Sequence, residues 1–179
     1  MYVEDIFATG GSLRRIREMQ LAFDTPDRYG KGFDCTGYTV HDAANLLLRY
    51  LLQLPEPVIH PEFYERFRST LSDAMLGGAL NSEVTIQTYQ KLVTELPPLS
   101  RHLLLYLLDL MAFFAEADVS NMTTPKLAAI FQPALLSHPE HCLSPNEQQL
   151  SQNVLIFLIE NQDHFLIGMA GTAVENETI

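Results

Sequence analysis

The stretch GYTVHDAANLLLRYLLQLPEP, residues 37–57, decides how this chain is read. Thr39 is a good N-cap, and Leu47, Leu51 and Leu54 recur at helical spacing, so the pattern predicts a helix from about residue 40 to residue 54. Pro55 and Pro57 flank Glu56 and force an extended turn, which stops the helix. Asp42, Asn45, Arg49 and Gln53 form a polar stripe on one face. Ala44, Leu48 and Leu52 make a third row, about 100° round from the core row. Periodicity alone would let Leu48 and Leu52 simply widen the core.

Outward from this helix the same spacing continues, and no period-2 strand pattern is visible. Ser12 is placed to cap a helix running to about residue 23, and residues 25–38 form a loop holding a proline and closely spaced glycines. A helix follows Pro61 through Phe63, Phe67 and Leu71, and Gly77 and Gly78 break it. Further helices are expected over about residues 82–96, 100–117 and 146–161, with another opening at Thr123 or Thr124. The fold class is therefore all-α, a single bundle of about seven helices over residues 1–167, with a small, polar, disordered tail at 168–179.

Composition narrows the function classes. A chain of 179 residues suits one domain, which can bury roughly 70% of its unfolded surface and needs no covalent staples. The formal net charge of −11 disfavours nucleic acid and an anionic membrane surface, both of which need clustered Lys and Arg. A basic protein face is the better electrostatic match. Two cysteines, Cys35 and Cys142, make no disulfide framework, and no signal segment opens the chain, so a reducing, intracellular setting is expected. The apolar run at 103–115, broken by Asp109, falls short of the roughly 20 residues that cross a bilayer and reads as a buried core helix. His138, His141 and Cys142 lack a fourth ligand and read as a proline loop, so no metal is expected.

Residues 126–139, KLAAIFQPALLSHP, complete the pattern. Together with residues 37–57 they resemble the signature of the Rho GTPase-activating (Rho-GAP) domain in its fungal-type form, and the likeness extends over about residues 3–167. The stretch DIFATGGSLRRIREMQLAFD, residues 5–24, resembles the family's arginine-finger loop and the helix after it. It matches at Ile6, Phe7, Gly11, Ser12, Arg15, Ile16, Phe23 and Asp24, and departs at Asp5 (usually Gly), Ala8 (usually Arg) and Gly10 (usually Ser). In the second signature Lys126 replaces the usual Asn, and Ala134 stands where many members have an Asn that touches the GTPase. The family also usually has a helix ahead of the loop, so its first helix is expected to be missing here.

The resemblance implies a domain that binds a GTP-loaded Rho-family GTPase and speeds its hydrolysis while making no bond itself. GTP and magnesium would belong to the partner, and the domain would need no cofactor. Its setting would be cytoplasmic, with recruitment to membranes through the GTPase. The implied partner-facing residues are Phe7, Ala8, Gly11, Arg15, Leu48, Arg49, Leu52, Lys126, Pro133 and Ala134, with the row of Ala44, Leu48 and Leu52 turned toward the GTPase. Leu48 and Leu52 occupy positions that usually carry Lys or Arg, or another polar residue. No catalytic residue is assigned, because the finger position is Ala8, and Arg14 and Arg15 lie past Ser12 inside the predicted helix. Arg15 matches a structural arginine that ties the loop to the body. Stimulation is expected to be weak or absent, which leaves an inactive binding module or a decayed copy as alternatives.

Overall fold

The computed structural model describes residues 3–80, 82–117 and 121–166. The elements are α1 (Leu13–Asp24), α2 (Val40–Leu52), α3 (Pro61–Leu76), α4 (Glu83–Glu95), α5 (Pro98–Glu116), α6 (Thr124–Leu135), a 3₁₀ turn (Pro139–His141), α7 (Pro145–Glu160) and the short α8 (Gln162–Leu166). No strand occurs among the described residues. The expected all-α bundle is what forms, with α8 as a separate five-residue helix where the sequence suggested only a helix end. The expected tail at 168–179 lies outside the described residues.

The helix starts follow side-chain chemistry. Thr39 and Asp42 make a reciprocal capping box on α2. Ser82 and Thr123 accept N3 amides of α4 and α6. Ser12 sits at the N-cap of α1 but its side chain makes no cap bond, so that expectation is corrected. Helix α5 opens at Pro98 rather than Ser100, since a proline at the first position has no N–H to leave unpaired. Helix α2 ends at Leu52, two residues before the predicted stop, with Gln53 as its cap.

Helix α6 packs on α2, α5 and α7; α3 packs on α4 and α7; and α1 rests on α2. Phe67, Tyr89, Leu104, Leu108, Leu127 and Phe131 are fully buried in the shared core. Helix α5 departs from the reading of a buried helix. Leu104, Leu105, Leu107, Leu108, Met111 and Ala112 face the core, whereas Leu99, Tyr106 and Phe113 are exposed on the opposite side. By length and composition α5 could cross a bilayer, yet its inner face forms part of this core.

The two signature stretches meet directly. After the proline turn, Val58 N–H donates to the Ala134 carbonyl at 3.1 Å and Ile59 N–H to the Leu135 carbonyl at 2.9 Å. These are carbonyls in the last turn of α6, which have no partner within the helix. Ile59 is itself fully buried, so the turn is clamped under α6 by packing as well as by hydrogen bonds. His141, by contrast, is drawn into a polar cluster: the Tyr64 hydroxyl lies 3.1 Å from its Nδ1, and Arg68 pairs with Glu147 beside it.

Ile59→Ala should cost about 2–5 kcal/mol, through lost burial and the cavity it leaves, measured as a shift of the urea unfolding midpoint.

Candidate functional site

The segment between Asp5 and Ser12 is a loop held at both ends. At the first end, Asp5 has a left-handed backbone (φ 50°), and its carbonyl accepts the N–H groups of Ala8 and Thr9, both at 2.9 Å. Its carboxylate accepts from Lys126 Nζ at 3.0 Å and from Asn121 Nδ2 at 3.1 Å. Lys126 also donates to the Asn121 carbonyl at 3.0 Å. The Lys126 hydrogen bond, followed by that of Asn121, holds the Asp5 carboxyl below the usual carboxylate range.

The middle of the loop is fixed from below. Phe7 sits edge-on between Phe131, at a ring distance of 5.0 Å, and Phe114, at 5.4 Å. Asn45 of α2 donates to the Thr9 carbonyl at 3.0 Å, and His41 Nδ1 lies 3.3 Å from the Ile6 carbonyl.

At the far end, the Asp42 carboxylate receives Ser12 N–H at 2.7 Å, Arg15 Nε at 2.6 Å and Thr39 N–H at 2.8 Å. Burial alone would push the Asp42 carboxyl up. Arg15 and the donors of Thr39 and Ser12 outweigh it and hold the group well below the carboxylate range. Gly11 is required by this close approach: a Cβ there would lie 2.6 Å from Asp42 Oδ1 and 2.9 Å from its Cα.

What the loop presents is Ala8, exposed, with no donor on its side chain. Beside it runs the outer face of α2. Arg49 is half-buried, and its Nε is buried with no hydrogen-bond partner among the described residues. Leu52 is 58% exposed, one turn beyond the half-buried Leu48. Leu52 and Pro133 line a cavity of about 190 Å³ with Pro55, Glu56 and Pro57. A larger cavity, about 390 Å³, lies between α1 and α2 and shares no lining residue with the loop.

Several residues read as partner-facing or solvated stand elsewhere. Phe7 is 7% exposed and is a core residue, because the loop needs an apolar anchor. Ala134 is 3% exposed beneath the turn at 54–58. Asp42, placed on a polar stripe, has no exposed surface, since α1 and the loop cover that part of α2. Ala44, placed on the outer row, is buried as well. Gly11 and Arg15 support the loop from its stem, and Lys126 is engaged with Asp5. The Asp5–Lys126 pair escaped sequence reasoning, although both residues had been marked as departures from the family pattern. No group of three His, Cys, Asp or Glu side chains that could hold a metal occurs among the described residues.

The sequence matches the RhoGAP domain over residues 1–140. The chain belongs to the RhoGAP domain family. It is 46% identical over 165 residues to Rho-GTPase-activating protein 5 of Schizosaccharomyces pombe, covering 92% of this chain and 45% of that protein. It is 40% identical over 158 residues to Rho-GTPase-activating protein BAG7 of Saccharomyces cerevisiae, covering 86% of this chain and 38% of that protein. The chain thus spans less than half the length of either relative. Its fold is similar to the crystal structure of human Rho GTPase activating protein 15, with a TM-score of 0.77 at 20% identity over 91% of this chain and 75% of that one. It is also similar to the BH domain from Graf, the GTPase regulator associated with focal adhesion kinase. That match has a TM-score of 0.76 at 22% identity, covering 91% of this chain and 84% of that one. The RhoGAP match ends before α7, which nonetheless completes the core through Val154, Leu155 and Leu158.

The depressed pKa of Asp42 sets an acid limit on this RhoGAP chain. Its stabilisation is fully present above about pH 4, the ordinary Asp value, and is lost progressively as pH falls toward its folded-state value. Asp42→Asn should lower Tm at pH 7 by on the order of 5 °C or more. It should also flatten the fall of Tm below about pH 4, read by circular dichroism melts from about pH 5 down to about pH 2.

Proposed function

We propose that this chain binds a GTP-loaded Rho-family GTPase through the loop at 5–12 and the outer face of α2, and that it stimulates GTP hydrolysis weakly or not at all. The observation that carries the reading is a contact loop fixed at both ends and in the middle that ends in an exposed alanine. A guanidinium offered in trans to the transferring phosphate is worth about 10³–10⁵ in rate for systems of this kind. Ala8 has nothing to offer in its place. GTP and magnesium are the partner's own.

Neither nearby arginine supplies the missing charge. Arg15 is bound to buried Asp42 at 2.6 Å, and withdrawing it would leave a buried carboxylate short of a partner. Arg14 points along α1, where it pairs with Glu18 at 3.0 Å.

The alternative of a decayed copy without a partner is less well supported. A loop under no demand would not need a glycine against Asp42, a phenylalanine in the core and an ion pair at its stem. Arg49 adds to the binding reading. It is the one cation on the outer face of α2, and no ion pair inside the chain holds it among the described residues. A carboxylate on the partner would satisfy it, with Leu52 beside it to be covered.

Single-turnover hydrolysis by a panel of Rho-family GTPases, with saturating amounts of this chain, should rise by less than about tenfold. Ala8→Arg should raise the rate further yet stay below the full 10³–10⁵ range, because Leu48 and Leu52 stand where cations or polar groups are usual. Wild-type acceleration within that full range would sink the proposal. Arg49→Glu should weaken binding to a GTPase loaded with a non-hydrolysable GTP analogue by about a hundredfold, measured by titration calorimetry.

A further inference from the structure

We infer that Asp5 and Lys126 act together as positioning residues that set the placement of Ala8 on the docking face, an inference that rests on the GTPase-binding reading above. Asp5 works at two ends. Its carbonyl receives Ala8 and Thr9 N–H, while its carboxylate is gripped by Lys126 Nζ and by Asn121 Nδ2, which flank the N-cap residue Thr123 of α6. Any shift of that carboxylate moves the loop apex with it. The other stem is fixed by Ser12 on Asp42, so the apex between them has its position defined from both sides.

Two further observations support a geometric role. The backbone of Asp5 is left-handed, at φ 50°, a region aspartate enters more readily than most residues, and Lys126 and Asn121 hold its carboxylate there. An ion pair between half-exposed partners also contributes little to stability, so its main effect is on where the loop sits rather than on whether the chain folds. Asp5 and Lys126 replace the usual Gly and Asn at their positions, and a glycine would offer no carboxylate to grip. The pair reassigns Lys126 from a direct contact to a support.

A double-mutant cycle tests this. Asp5→Asn keeps a residue that tolerates the left-handed backbone but removes the charge. Lys126→Gln removes the cation, and Lys126→Arg restores it. The readout is affinity for Rho-family GTPases loaded with a non-hydrolysable GTP analogue, with Tm measured alongside. Each single change should weaken binding about tenfold, which is within the range of coupling found between residues in one hydrogen-bond network. The double variant should be no weaker than either single one, Lys126→Arg should bind like wild type, and Tm should move by no more than about 2 °C. An additive, hundredfold loss in the double variant would overturn the inference, as would a loss confined to Lys126→Gln, because either result makes Lys126 a direct contact. No change in any variant would overturn it too. If the wild-type chain binds no GTPase in the panel, the proposed function itself fails and this inference falls with it. A wild type that binds, with an additive cycle, removes this inference alone.

Discussion

The carboxylate of Asp42 has no exposed surface, yet it is charged, and much of the candidate site follows from satisfying it. A buried charge is tolerated only when nearby donors replace the water it has lost. Here those donors come from three segments: Ser12 at the loop stem, Arg15 of α1 and Thr39 at the start of α2. Their convergence fixes how α1 lies on α2 and where the loop must end. It also explains why residue 11 is a glycine, since the backbone passes too close to Asp42 for any side chain. One carboxylate thus couples a helix cap, a helix–helix contact and a loop anchor.

The helices were legible because local chemistry announces them. Apolar residues recur at helical spacing, and prolines or glycines stop each run, so every long helix appeared close to its place. Periodicity assigns a residue to a face but does not say what covers that face. Asp42 and Arg49 share the polar stripe of α2, yet α1 and the loop bury the first and leave the second half-open. The row of Ala44, Leu48 and Leu52 divides in the same way along the helix. Ala44 is buried, Leu48 is half-buried, and Leu52 lies exposed at the far end. The outer face of α5 was misjudged for a related reason, since leucine-rich helices look alike whether one face or two are covered.

Contacts between distant residues were beyond the reach of pattern reading. Asp5 and Lys126 are 121 residues apart, and nothing in local spacing links them. The union of the two signature stretches, Val58 and Ile59 on the end of α6, is equally silent in sequence. Resemblance named contact positions without knowing their burial here. Phe7 and Ala134 had to be moved from the surface to the core once packing was known.

Residue 8 illustrates how separable scaffold and chemistry are in this fold. The loop's placement comes from Asp5, Phe7, Asn45, Gly11 and Ser12, none of which depends on the side chain at its apex. Ala8 contributes a backbone N–H to Asp5 and makes no further hydrogen bond among the described residues. Folding therefore places almost no demand on the identity of residue 8, and only a docked partner would. That is why the signals of the fold can stay intact whatever side chain stands at residue 8.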